Sequence, residues 1–140
     1  MIFTWSSKKT IPVEVVNKSL DVGVTQKPFL VTVFEAKEIA SNSNAMGPLG
    51  GLDLTGYSEY RLILHMAGTP GTPFVINELF GPAGGVDQVT FQVGGGEIAA
   101  SGVLNYRARF DIFGPKNFFI QIKNAGPEPL LVNGTLYAMM

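Results

Sequence analysis

The side chains that could do chemistry in this chain are few and scattered. There is one histidine, His65, no cysteine, and 11 acidic residues against 10 basic ones. The lack of cysteine excludes disulfides, thiol nucleophiles and zinc–thiolate centres. His65 lies between Leu64 and Met66 in an alternating run, where a structural role is expected, and no second histidine is present to share a metal ion. Glu78, Asp87 and Glu97 are the candidates for a carboxylate pair of the kind used in glycoside hydrolysis. Glu78 stands out because it shares a strand face with Phe74, Ile76 and Phe80, and a carboxylate on an apolar face needs a partner. Arg61 or a backbone amide is the expected one. The glycine-rich turns at Gly81–Gly85 and Gly94–Gly96 open no helix and match no phosphate-cradling motif. The expectation is a non-enzyme with no catalytic residue, no cofactor and no metal site.

Contact chemistry is better represented. Arg107, Arg109 and Lys123, with Phe119 among them, form a candidate interface or ligand patch, since arginine beside an aromatic ring is the composition that interface centres favour. Phe3 and Trp5 join them as candidate anchors of an N-terminal arm. A different reading makes Trp5, Tyr57 and Tyr60 a platform on which sugar rings stack. The net charge of −1 provides no global field to attract nucleic acid or a membrane surface, so neither partner is expected. Charged residues make up only 15% of the chain and hydrophobic ones 46%, a balance that favours covering surface against copies of the same chain or against a partner. Asn17-Lys18-Ser19 and Asn133-Gly134-Thr135 fit the glycosylation sequon, which has meaning only on a secretory route. MIFTWSSKK places its apolar residues before its lysines, the reverse of a signal peptide, and no apolar run approaches the ~20 residues that span a bilayer. No destination is read from these residues: the chain is expected to be cytoplasmic as synthesised, with a particle or surface open to it.

The elements that must position these groups read as strands. Val103–Asn124 is the clearest: Leu104, Tyr106, Ala108, Phe110 and Ile112 alternate with Asn105, Arg107, Arg109 and Asp111, and Phe118, Ile120 and Ile122 alternate with Phe119, Gln121 and Lys123. Gly114-Pro115 between them suits a hairpin turn. Pairing Ile112 with Phe118 keeps apolar residues opposite one another and sets Asp111 beside Phe119, Arg109 beside Gln121 and Arg107 beside Lys123. Further strands are predicted at Phe29–Ala36, Tyr60–Met66, Phe74–Phe80, Val86–Val93 and Leu130–Met139, with Leu62, Leu64 and Met66 inward and Arg61 and His65 outward in the second and a bulge at Gly134 in the last. Val89, Phe91 and Val93 are expected to point inward. Ser41–Gly51 and Gly94–Gly102 read as loops. Residues 1–28 form an arm or edge strand, with a candidate strand at Ile11–Val16, and residues 29–140 form one sandwich domain.

The segment Leu52–Leu64, LDLTGYSEYRLIL, resembles a strand of the galactose-binding-like jelly rolls, the β-sandwich shared by many carbohydrate-binding modules. The closing stretch over residues 118–138, FFIQIKNAGPEPLLVNGTLYA, is similar to the paired final strands of those sandwiches. This resemblance implies an antiparallel jelly-roll-like sandwich of about eight strands without substantial helix, and it brings carbohydrate into view as a partner. The calcium sites of such families need clustered acidic residues, and no Asp/Asn-rich loop is present. Two functional expectations stand side by side: a homo-oligomeric structural subunit of a coat, appendage or phage-type particle, and a carbohydrate-binding module.

Overall fold

The computed structural model describes residues 27–81 and 89–140. Phe3, Trp5, the Ile11–Val16 segment, the first sequon and Asp87 lie outside the described residues. Eight strands follow in chain order: β1 (Phe29–Ile39), β2 (Asn44–Leu52), β3 (Glu59–Gly68), β4 (Pro73–Phe80), β5 (Val89–Glu97), β6 (Val103–Asp111), β7 (Phe118–Asn124) and β8 (Leu130–Met139). They form two antiparallel four-stranded sheets with orders β1-β8-β3-β6 and β2-β7-β4-β5. Strands adjacent in sequence mostly lie in different sheets, which is the double-sheet jelly-roll arrangement.

The period-2 pattern builds the core. Tyr60, Leu62, Leu64 and Met66 of β3 and Leu130, Val132, Leu136 and Ala138 of β8 face Phe74 and Ile76 of β4 and Phe118, Ile120 and Ile122 of β7, and all are essentially sealed from solvent. Each large side chain so buried stabilises the sandwich by roughly 1.5–3 kcal/mol. At the end of the barrel-like core away from Phe29, Asn124 is fully buried and joins two turns. Its Nδ2 donates to the carbonyls of Ile39, Ala40 and Glu128, and its Oδ1 accepts from the Gly126 N–H.

The predicted hairpin across Val103–Asn124 is corrected by this topology. Both strands exist, but β6 pairs with β3 and β7 pairs with β2 and β4. Residues 112–117 cross from one sheet to the other instead of turning back. Ile112 is buried in that crossing and its N–H bonds Ser58, while the Leu54 N–H bonds Pro115. Gly114 has a left-handed φ of 69° and sits so near the Leu54 carbonyl that a Cβ would lie 3.1 Å from it.

Three further readings change. The segment read as a loop at Ser41–Gly51 contains β2, an edge strand whose Gly and Pro residues lie where its register with β7 breaks, between Gly47 and Leu52. Proline is tolerated on such edges because no neighbour requires its missing N–H. β8 is one strand, as expected, but it runs in unbroken register against β3 through Gly134, and the irregularities fall in β1, at Thr32–Phe34 and Phe34–Lys37. The Asn133 Oδ1 caps that irregular stretch by accepting the Ala36 N–H at 2.7 Å. Finally, β5 extends through Gly94–Glu97, and its Val89 and Phe91 are exposed where they were expected inside. A side chain at Gly94 would run into the Tyr106 hydroxyl, so the edge strands approach closely there, whereas nearer the start of β5 no further strand among the described residues covers the core.

Candidate functional site

β3 lies between β6 and β8, so its two registers fix which side chains stand together on the outer face of the first sheet. One row across the four strands reads Leu30, Tyr137, Arg61, Arg109, and the next reads Thr32, Thr135, Ile63, Arg107. On one side of these rows His65 stands between Asn133 and Asn105, with its Nδ1 2.7 Å from the Asn105 Oδ1. On the other side Glu59 stands between Met139 and Asp111.

Arg61 and Arg109 oppose each other directly, an unfavourable arrangement on a sheet unless an anion answers it. Glu59 does so weakly, at 3.9 Å from the Arg61 Nε and 3.6 Å from the Arg109 Nε. Such exposed pairs contribute little to stability. Arg107 has no acidic group within ion-pairing distance among the described residues. A shallow depression of about 320 Å³ lies among Arg61, Ile63, Arg107 and Arg109. Ile63 is 46% exposed and Leu30 is 65% exposed in the same two rows. The face thus combines guanidinium groups, a tyrosine and solvent-facing aliphatic side chains on a regular sheet, a composition that suits contact with another surface.

The structure brings together only part of the patch expected from sequence. Arg107 and Arg109 are neighbours on this face. Lys123 and Phe119 belong to the other sheet and point away from them, because β6 and β7 do not pair. Phe119 is also buried, at 3% exposure, rather than presented: it faces Leu79 across the strands, and Gly51 lies against its ring. Alternation had placed Arg61 and His65 outward, but only the β3–β6 pairing shows that Arg61 adjoins Arg109 and that Ile63 adjoins Arg107. Leu30 and Tyr137 carried no signal of their own, since their membership in this face depends on β1 and β8 meeting β3.

The sugar-stacking expectation is corrected at both described residues. Tyr57 is buried with its ring edge-on to Phe29 at 5.1 Å, and its hydroxyl donates to the Lys27 carbonyl. Tyr60 is completely buried and donates its hydroxyl to Glu78. That bond also replaces Arg61 or a backbone amide as the partner of Glu78. Burial pushes the Glu78 carboxyl above the usual carboxylate range, while the Tyr60 hydroxyl draws it part-way back. Burial likewise raises Tyr60 far above the ordinary tyrosine range, with the Glu78 hydrogen bond and charge adding to the effect. Glu97 pairs with Pro73 while Glu78 pairs with Phe91, so about 17 Å of strand separates these carboxylates. They do not form a catalytic pair. No group of three or more His, Asp or Glu side chains capable of holding a metal occurs among the described residues.

No protein-family model matches the chain, and no curated protein matches it. Among solved structures it is similar to the Clostridium thermocellum N-terminal endo-1,4-beta-D-xylanase 10B, whose CBM22-1–GH10 modules were crystallised with xylohexaose. That match has 13% identity and a TM-score of 0.54, and covers 81% of this chain and 24% of the xylanase chain. A structure of infectious bursal disease virus Gx strain matches over 92% of this chain and 40% of the viral chain, with 14% identity and a TM-score of 0.42, too low to establish a shared fold. The chain resembles the carbohydrate-binding-module type of jelly-roll sandwich in its fold.

Proposed function

We propose that the chain is a non-catalytic structural subunit that assembles with copies of itself, as in a coat, an appendage or a phage-type particle. The observation that carries this reading is the outer face of the first sheet, where Ile63 beside the arginines and Leu30 at the far end of the row are open to solvent, and Arg61 and Arg109 share one weakly held acidic partner. Nine paired positions along β3 and β6 and four strands across give a footprint of about 19 by 30 Å, on the order of 600 Å² before side-chain relief. That approaches the ~800 Å² per partner of a standard protein interface. The low share of charged residues, 15%, and the scattered placement of the titratable groups support contact over catalysis.

The test is the mass in solution by light scattering at micromolar concentration. The full chain is expected to run as more than one subunit, and Arg107→Glu or Ile63→Thr to shift it toward monomer without changing its melting temperature. Deleting residues 1–10 measures what the N-terminal segment adds. A strict monomer, indifferent to all three changes, would overturn the proposal.

A further inference from the structure

β5 and β6 are the terminal strands of their sheets, so the gap between the sheets opens along their edges. A cleft of about 380 Å³ lies in that opening, lined by Glu78 and Phe80 of β4, Phe91 of β5, Asp111 of β6, and the Ile112 and Phe113 that follow it. Phe113 is fully exposed and Phe91 about half exposed, while Phe80, 5.7 Å from the Phe91 ring, ties Phe91 to the core by stacking toward Phe118. Exposed rings grouped around an opening mark a binding surface more often than a stable free one. Glu78 is more than nine-tenths buried and lines the same cleft. One of its oxygens accepts the Tyr60 hydroxyl, and the other has no hydrogen-bond partner among the described residues. Asp111, on the rim, forms no ion pair among the described residues. Among the described residues no lysine, arginine or histidine lines the cleft.

The geometry points to a small aliphatic ammonium ion as the ligand of this cleft. Its nitrogen satisfies the open oxygen of Glu78, and the ring faces attract the same positive charge. Its hydrocarbon stem covers Phe80, Phe91 and Ile112. A neutral hydrocarbon would leave the buried carboxyl oxygen unpaired, and an anion would meet the Glu78 carboxylate. The volume falls in the range of small-molecule pockets, which favours a free amine over a lysine side chain inserted from a polypeptide. The cleft lies between the sheets, away from the outer face argued above, and this reading does not depend on assembly.

Titration of the full chain by NMR with hexylammonium, hexan-1-ol, hexanoate and Nα-acetyl-lysine amide tests it. Hexylammonium is expected to saturate with a dissociation constant of about 1 mM, as suits a probe of so few heavy atoms. Hexanol should bind about tenfold more weakly and hexanoate not at all. Phe91→Ala and Phe113→Ser, both at exposed positions, should weaken hexylammonium binding, and Glu78→Gln should abolish the preference over hexanol. Equal binding of amine and alcohol, or no saturable binding of the amine, would overturn the proposal. Tighter binding of the lysine amide than of hexylammonium would overturn its assignment to a free amine.

Discussion

Tyr60→Phe removes one hydroxyl from a completely buried ring and leaves the Glu78 carboxyl without a hydrogen-bond partner among the described residues. In acid Glu78 carries its proton, the lost bond joins two neutral groups, and the cost is about 1 kcal/mol. In alkali the carboxylate is charged, and losing its donor costs about 2–3 kcal/mol. The sign of the pH dependence follows from the raised pKa of Glu78. The folded chain holds this proton more tightly than the unfolded chain does. Stability is therefore full below the ordinary carboxylate range and declines as pH rises through the folded value. Because the Tyr60 hydroxyl is the influence that lowers Glu78, its removal drives the folded value higher and deepens the decline. Urea unfolding followed by circular dichroism at acidic and alkaline pH measures both losses. Glu78→Gln retains an acceptor for Tyr60 without the charge, so it should flatten the profile and stabilise the chain in alkali. An equal loss for Tyr60→Phe at both pH values, or an unchanged slope in Glu78→Gln, would refute the reasoning.

Asn124→Ala should lower stability by about 3 kcal/mol in thermal unfolding, because three carbonyls and the Gly126 N–H lose a buried partner together. Gly134→Ala should cost about 1–3 kcal/mol, since its Cβ would stand 2.7 Å from the Leu64 Cδ2 and 3.1 Å from the Phe34 Cδ2 inside the core. Gly71→Ala, with φ of 85° but open space around the new methyl group, should cost about 1 kcal/mol through backbone strain alone.

How far the sequence could be read follows from which interactions are local. Alternation is local, so β1, β3, β4, β6, β7 and β8 were visible, with the Val89–Val93 part of β5, as was the inward set Leu62, Leu64 and Met66. Pairing is not local. The apolar alternation that makes Phe110 opposite Ile120 look favourable is equally satisfied by Phe110 opposite Tyr60, and only the inter-sheet crossing at Ile112–Gly114 separates the two. β2 was hidden because its fitness for an edge lies in bonds it does not need to make. Tyr57 and Tyr60 look like exposed platforms from composition, yet burial decides their role. Glu78 was correctly marked as an intruder on an apolar face, but its partner comes from the opposing sheet, at a position the strand pattern alone does not specify. On the contact face the outward direction of Arg61, Arg107 and Arg109 was legible and their adjacency was not.

The central claim is that copies of this chain meet through the outer face of the first sheet. The chain has no native cysteine, so a single introduced thiol reports on one position. Thr32→Cys places it on the Arg107 row, and Lys123→Cys places it on the opposite face of the sandwich. Both positions are exposed in the single chain. The account predicts that maleimide labelling of Thr32→Cys slows as protein concentration rises, while labelling of Lys123→Cys does not change. Labelling rates that stay constant at both positions, or that slow only at Lys123→Cys, would contradict it.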